Sequence, residues 1–164
     1  MRRIGVISDT HIPFRGTHLP PRVFELFDGV DLIVHCGDIN QIQVLQELEL
    51  LAPVRAVTGN TDPYEVAITL PPKQIFTMEG FRIGVFHGHG LGTPRNNARR
   101  HLDDARCHVV LYGHSHCPEN HLDQGVLYLN PGSATNPRCS PEGTVGILEL
   151  TDRVTGRILS LEED

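Results

Sequence analysis

The sequence has no tryptophan, few aromatic residues (5% of 164) and no apolar run long enough to cross a membrane. A spanning helix needs about 18 or more apolar residues, so none is predicted. Basic residues are in the minority, with 14 lysines and arginines against 20 acidic residues and a formal net charge of −6. This balance argues against stable nucleic-acid binding through phosphate neutralisation. The hydrophobic share of 39% excludes a disordered acidic segment.

Cysteine is scarce, and its spacing excludes the common cysteine motifs. The four cysteines are Cys36, Cys107, Cys117 and Cys139. None of them forms a CxxC pair, so neither a zinc knuckle nor a thioredoxin-like centre is indicated. The apolar stretch after Met1-Arg2-Arg3 ends at Ser8-Asp9, too early for a signal peptide. We therefore predict a cytoplasmic protein with four free thiols.

Short apolar segments alternate with helical patterns through most of the chain. The β-branched, almost continuously apolar segments that favour buried strands are 4–7, 31–36, 54–58, 81–86 and 108–112. Helical spacing is typical of 21–27, 40–51 and 94–104, with Asn40 as the N-cap of the second helix. This alternation predicts an α/β protein.

The C-terminal part adds strands of a different kind. Segments 125–129, 144–150 and 156–161 are strand-like, and a hairpin is expected to lead from Ile75 into the strand at 81–86. These strands indicate antiparallel or mixed pairing. We expect residues 1–164 to form one domain of two packed sheets flanked by helices.

Residues that can bind metals follow each of the first five predicted strands. They are Asp9 and His11, then Asp38, then Asn60, then His87, and finally His114 and His116. Because the carboxyl ends of parallel strands meet at one edge of a sheet, we expect these seven side chains to converge. Imidazole and oxygen ligands without thiolates favour first-row divalent ions. Manganese is the first choice, with iron, cobalt, nickel or zinc as alternatives.

Seven ligands are too many for one ion that keeps an open position, so two ions are predicted. Two divalent ions bring more positive charge than Asp9 and Asp38 neutralise, which attracts a phosphate ester even to an acidic protein. Ions about 3.5–4 Å apart activate water and bind the oxygens of an in-line phosphoryl displacement. Each motif alone is more often a turn or a cap. Their joint occurrence at five strand ends favours the metal interpretation.

In order and strand context these motifs resemble those of the calcineurin-like metallophosphoesterases. The matching segments are Asp9-x-His11, Gly37-Asp38, Gly59-Asn60, His87 and Gly113-His114-x-His116. The segment Asn130-Pro131-Gly132-Ser133, followed by Pro137-Arg138, is similar to the small single-domain phosphodiesterase branch of that superfamily. The resemblance implies an α/β (α+β) fold, a four-layer αββα sandwich of two mixed sheets flanked by helices.

The resemblance also implies a ligand set and a nucleophile. One ion would be held by Asp9, His11, Asp38 and His116. The second would be held by Asp38, Asn60, His87 and His114. Asp38 would bridge the two ions, and a hydroxide between them would attack phosphorus without a covalent phospho-enzyme.

One position departs from the wider superfamily, which often has a histidine where this chain has Thr61. That histidine protonates the leaving group, and the small phosphodiesterase branch commonly lacks it. General acid catalysis is worth about 10²–10⁴-fold, so we expect activated esters or a substitute donor. His89 is a candidate donor. Asp62 is a candidate for orienting a water or a ligand.

The sequence thus predicts a metal-dependent phosphodiesterase for a small or nucleotide-like substrate. A phosphomonoesterase on the same site, a nuclease for short oligonucleotides and a non-catalytic metal-binding interaction module of this fold remain as alternatives. No membrane partner is expected, and the resemblance leaves a homo-oligomer open. His35 is expected in the core. Arg95, Arg99 and Arg100 form a basic helix face, usually solvated but able to meet a substrate phosphate.

Overall fold

The computed structural model describes residues 1–162, which form two five-stranded mixed sheets. The strands are β1 (Arg2–Ile7), β2 (Leu32–His35), β3 (Val54–Ala56), β4 (Lys73–Met78), β5 (Phe81–Phe86), β6 (Val109–Leu111), β7 (Glu119–Asp123), β8 (Val126–Asn130), β9 (Thr144–Leu150) and β10 (Val154–Ser160). The helices are α1 (Pro21–Leu26), α2 (Gln43–Glu49), α3 (Tyr64–Ala67) and α4 (Pro94–Leu102), the last followed by a 3₁₀ turn at Asp103–Ala105.

The first sheet has the order β10-β9-β1-β2-β3, and the second has the order β4-β5-β6-β8-β7. In each sheet three strands are parallel, namely β1, β2 and β3 in the first and β5, β6 and β8 in the second. The remaining strands pair antiparallel at the edges. The α/β class with two mixed sheets, predicted from the sequence, is confirmed.

Three apolar layers hold the sandwich together. The middle layer joins the two sheets, with Val34 of the first sheet and Val85 of the second in one cluster. On the outer face of the first sheet, Ile33 packs in a cluster with Phe27 and with Leu48 of α2. On the outer face of the second sheet, Leu102 and other α4 residues form a third cluster. Neighbouring residues of β2 thus enter different layers, which explains its continuous apolar sequence.

The expected N-cap of the second helix is wrong. The helix α2 begins at Gln43, and the residue at its cap position, Ile42, makes no side-chain cap hydrogen bond. Asn40 instead has a φ of 68°, a left-handed conformation that asparagine adopts more readily than most residues. Its side chain donates to the Thr61 carbonyl oxygen at 3.0 Å and lies 3.1 Å from His11 Nδ1.

The prediction of four free thiols is also wrong. Cys36 and Cys107 are free and buried, but Cys117 and Cys139 form a disulfide with their Cα atoms 4.9 Å apart. The ring N–H at Nδ1 of His116 donates to the Asn136 carbonyl oxygen at 2.7 Å, which holds the two loops together. The disulfide forms because the tertiary structure brings Cys117 and Cys139 together, so the cysteine spacing alone does not reveal it.

None of the helices within residues 1–162 has the length and apolar character of a membrane span.

Candidate metal centre

Six of the seven predicted ligands form two clusters of three, drawn from the loops that follow β1, β2, β5 and β6. The first cluster contains Asp9, His11 and His116, and the second contains Asp38, His87 and His114. Within each cluster, one possible ligand atom per residue lies within 4.8 Å of the others. The residues converge because the loops leave the same end of the two packed sheets.

Asp38 lies between the two clusters. Its Oδ2 atom is 3.1 Å from Nε2 of His87 and 3.6 Å from Nε2 of His11. Asp9 Oδ1 is likewise 3.3 Å from His116 Nε2 and 3.7 Å from His87 Nε2. The seventh predicted ligand, Asn60, adjoins the second cluster, with Oδ1 at 3.1 Å from His114 Nδ1.

The backbone at these positions is unusual. Five of the six cluster residues have a positive φ, with values of 55° at Asp9, 45° at His11, 57° at Asp38, 71° at His114 and 59° at His116. Such conformations are uncommon outside glycine, and sparsely populated backbone conformations tend to concentrate at functional sites. The strain therefore favours a functional role for these loop residues.

Two glycines make room for the carboxylates. A Cβ atom at Gly59 would overlap the Asp38 carboxylate, and one at Gly113 would overlap Ser8 Oγ and crowd Asp9 Oδ2. The glycines that precede Asn60 and His114 in the sequence are thus explained by their close approach to Asp38 and Asp9.

Hydrogen bonds fix the orientation of several candidate ligands. The His87 ring donates from Nδ1 to the Cys36 carbonyl oxygen at 2.7 Å, as the His116 ring does to Asn136. Each bond leaves Nε2 as the free coordinating atom, the arrangement common in metal-binding histidines. Asp9 Oδ2 accepts from Ser8 Oγ at 2.6 Å and from the His114 backbone N–H at 2.9 Å, so Oδ1 is directed to the cluster.

The electrostatics of the clusters favour positive charge. Burial alone would raise the pKa of Asp9, but the neighbouring imidazoles of His11, His116 and His87 outweigh it and hold the pKa well below its usual range. Burial would lower the pKa of His87, but Asp38 and Asp9 raise it to about 9. The pKa of His114 is lowered by burial and by the charge of His87.

The residues fit a divalent metal. Within the described part of the chain, the buried atoms Asp9 Oδ1 and His87 Nε2 make no hydrogen bond. Buried polar atoms are normally satisfied, so such atoms need a partner that protein groups do not supply. Carboxylate, imidazole and amide oxygen donors suit the first-row ions expected from the sequence.

The two candidate catalytic residues occupy different positions. The Asp62 carboxylate accepts from the backbone N–H groups of Asp38 (3.1 Å), Asn40 (2.8 Å) and Gly59 (2.7 Å), so it braces the loops that carry the ligands. His89 lies beyond the second cluster, with its ring centroid 5.7 Å from that of His87 and 6.5 Å from that of His114.

Sequence reasoning missed two residues that support the centre. Asn40 contacts the His11 ring, and the Asn136 carbonyl oxygen orients His116. The position of Asn40 two residues after Asp38 was a usable signal, but the same residue also suited a helix cap. Asn136 acts through its backbone, so its side-chain identity carried no signal.

The fold and the two clusters define a class, that of α/β proteins with a site suited to two divalent ions. The chain belongs to the calcineurin-like phosphoesterase superfamily, because the model of that domain matches residues 1–153. It is 38% identical to a probable metallophosphoesterase of Methanocaldococcus jannaschii, over 98% of this chain and 82% of the relative. It is 29% identical to a phosphodiesterase of the same organism, over 98% and 99% of the two chains.

Among solved structures, the chain is similar to Vps29 of Chaetomium thermophilum. The TM-score is 0.83 at 22% identity, with 100% of this chain and 88% of that chain covered. At this identity the likeness supports the fold alone. Two packed mixed sheets with flanking helices are thus shared between this chain and that protein.

Proposed function

We propose that the protein is a metal-dependent phosphodiesterase that hydrolyses a small or nucleotide-like phosphodiester at a centre of two divalent ions. The observation that carries the proposal is the pair of adjacent clusters with Asp38 between them. The similarity to a phosphodiesterase along almost the whole of both chains supports diesters as the substrate class.

In the proposed centre, Asp9, His11, Asp38 and His116 hold the first ion. Asp38, Asn60, His87 and His114 hold the second. The distances of Asp38 Oδ2 to both clusters and the contact of Asn60 with His114 support this assignment. Manganese is the proposed metal. The cytoplasm is the proposed location, and the Cys117–Cys139 disulfide is the observation that argues against it, because such bonds are rare in that compartment.

When bound, two such ions lower the pKa of a water and polarise the phosphoryl oxygens. The protein's own part is to hold the ligands in place. The Thr61 backbone N–H donates to Asp38 Oδ1 at 2.9 Å, and Asp62 fixes the backbone on either side of that carboxylate. We propose that Asp62 is a positioning residue and that His89 contacts the substrate from beyond the second cluster.

The first test is hydrolysis of bis-p-nitrophenyl phosphate by chelator-stripped protein, with and without Mn²⁺. Asp38→Asn removes the negative charge of the carboxylate that lies between the two clusters. We expect it to lower Mn²⁺-dependent turnover by at least about 100-fold. Asp28→Asn is the matched control, because Asp28 is an exposed carboxylate outside the clusters, and it should retain turnover.

Elemental analysis of the reloaded protein separates the alternatives. Two ions per chain with diester turnover support the proposal. Faster turnover of p-nitrophenyl phosphate than of the diester would favour a phosphomonoesterase. Bound metal without turnover of either ester would favour a non-catalytic interaction module and overturn the proposal.

A further inference from the structure

A pocket opens beside the metal centre, between the loop at 88–92 and the helix α4. Its volume is about 460 Å³, within the range of small-molecule sites. It is lined by His89, Gly90, Leu91, Asn97, Arg100 and His101. The lining contains basic side chains and no carboxylate, in a protein whose formal net charge is −6. The pocket therefore differs in charge from the molecule as a whole.

The guanidinium of Arg100 carries an uncompensated charge. It donates to the Leu91 carbonyl oxygen at 3.0 Å and to Asn97 Oδ1, and both acceptors are neutral. Within residues 1–162 it forms no ion pair, whereas Arg95 on the same helix is paired with Glu119 at 2.6 Å. A guanidinium held by neutral groups keeps its attraction for a phosphate, which it can bind with two parallel hydrogen bonds.

A second cation lies next to the pocket. The Lys73 ammonium donates to the His101 carbonyl oxygen at 3.0 Å, which holds it beside α4. Positive charge from Lys73 adds to that of Arg100 at this end of the helix. Lys73 does not line the pocket, so it adds long-range attraction for an anion, while Arg100 supplies the direct contact.

The pocket is built on fixed side chains. Asn97 is buried and donates from Nδ2 to the Gly88 carbonyl oxygen at 3.0 Å, joining the loop to α4. The Phe86 ring stacks on His101 with centroids 3.9 Å apart and on His89 with centroids 5.1 Å apart. A site held in this way loses little conformational entropy when a ligand binds.

The pocket adjoins the metal centre at His89. This residue lines the pocket, and its ring lies 5.7 Å from that of the candidate ligand His87. A substrate whose scissile phosphate sits at the metal clusters can therefore place another part of itself in the pocket. The part of the substrate in the pocket would lie next to the second cluster, which contains His87 and His114.

We propose that this pocket binds a second phosphate of the substrate, one that is not cleaved. The preferred substrate is then a phosphodiester that carries an additional phosphate monoester, such as a phosphorylated nucleotide diester. The inference rests on the proposed phosphodiesterase function and adds a substrate class to it. Arg100 is the specificity-determining residue.

Two chromogenic esters that differ in one group test the proposal. They are the p-nitrophenyl ester of thymidine 5′-phosphate and the same ester with an additional 3′-phosphate. With Mn²⁺-loaded protein, we expect kcat/KM to be on the order of tenfold higher for the ester with the 3′-phosphate, the effect of about one charge-assisted contact. Arg100→Gln keeps an amide that can donate to Leu91 and removes the charge, so it should abolish most of this preference.

Arg99→Gln is the matched control, since it removes the same charge from the neighbouring position and Arg99 does not line this pocket. It should retain the preference. If Arg100→Gln slows both esters equally, Arg100 only anchors the loop and the proposal is overturned. Equal rates for the two esters in the unmodified protein would overturn it as well, while leaving the phosphodiesterase function intact.

A binding measurement separates failure of the pocket from failure of catalysis. Thymidine 3′,5′-bisphosphate is titrated into chelator-stripped protein by calorimetry. We expect its Kd to rise about tenfold in Arg100→Gln and to be unchanged in Arg99→Gln. If the bisphosphate binds in a manner that depends on Arg100 but the Mn²⁺-loaded protein hydrolyses neither ester, the anion pocket is supported and the phosphodiesterase function is contradicted. If the Mn²⁺-loaded protein hydrolyses both esters and Arg100→Gln changes neither the ester preference nor the Kd, the phosphodiesterase function is supported and the anion pocket is contradicted.

Discussion

At the scale of single residues, His35 shows how the site is supported from behind. It is fully buried at the end of β2, with Nε2 at 3.0 Å from Thr10 Oγ1 and Nδ1 accepting from the Gly37 backbone N–H at 3.1 Å. Burial lowers its pKa to about 3. The expectation from the sequence, a core histidine rather than a ligand, is confirmed. The imidazole is neutral and supports the turns that present Asp9 and Asp38.

This shift predicts an acid-sensitive fold. In the unfolded chain the pKa of histidine is about 6.5. Below that pH the unfolded state therefore binds a proton at this residue, whereas His35 in the folded state stays neutral. Its contribution is complete above about pH 6.5 and is lost toward pH 3, at up to about 1.4 kcal/mol per pH unit. Urea unfolding of metal-free protein should show a shallower pH dependence in His35→Gln. The exposed His18→Gln is the control, and equal slopes in all three proteins would contradict the prediction.

At the scale of elements, the loops after β6 and β8 act as one unit. The Cys117–Cys139 disulfide joins them next to His116, and the hydrogen bond from His116 to the Asn136 carbonyl oxygen links the same two loops. The position of the candidate ligand His116 therefore depends on a covalent link as well as on its own strand. Loss of the link should affect both stability and metal binding at the first cluster.

Cys139→Ser tests this dependence. A disulfide that closes a loop of this size contributes about 2–4 kcal/mol to the free energy of unfolding. We expect the variant to lose that amount in urea unfolding and to release metal at lower chelator concentration. Reductant should produce the same change in the unmodified protein and none in the variant. A melting temperature of the unmodified protein that does not respond to reductant would contradict the prediction.

The elements also show which features the sequence could predict. The strands β1, β2, β5 and β6 were recognisable because buried strands need continuous apolar residues, and the ligand motifs directly follow them in the sequence. The strand β7 was missed because it is a polar edge strand whose hairpin turns at Gln124-Gly125. The short helix α3 was also missed. The disulfide and the true role of Asn40 depend on contacts between distant segments, which no local pattern encodes.

At the scale of the whole molecule, each cluster of candidate ligands combines residues that follow strands of both sheets. Asp9 and His11 follow the first sheet's β1, and their partner His116 follows β6 of the second. The second cluster likewise joins Asp38 to His87 and His114. Bound ions would therefore connect the two sheets and stabilise the folded state by mass action.

We predict that Mn²⁺ raises the melting temperature of the chelator-stripped protein through a single transition. At about 100 times the Kd, the stabilisation is about 2.7 kcal/mol per site. Asp38→Asn should lose most of the increase, and Asp28→Asn should keep it. One transition seen by probes in both sheets would support the proposed single domain over residues 1–164. Two separate transitions, with only one responding to Mn²⁺, would contradict it.

The positive φ angles at five cluster residues have an evolutionary consequence. At these positions a side chain is kept in a conformation that glycine adopts at lower cost, by roughly 1–2 kcal/mol per residue. A descendant of this chain that no longer needed the ions would recover this cost with glycine at the partly exposed positions His11 and His114. Glycine at Asp9 would instead leave the His114 backbone N–H without its acceptor. Drift toward glycine at these turns would thus mark lineages that have kept the sandwich and given up its chemistry.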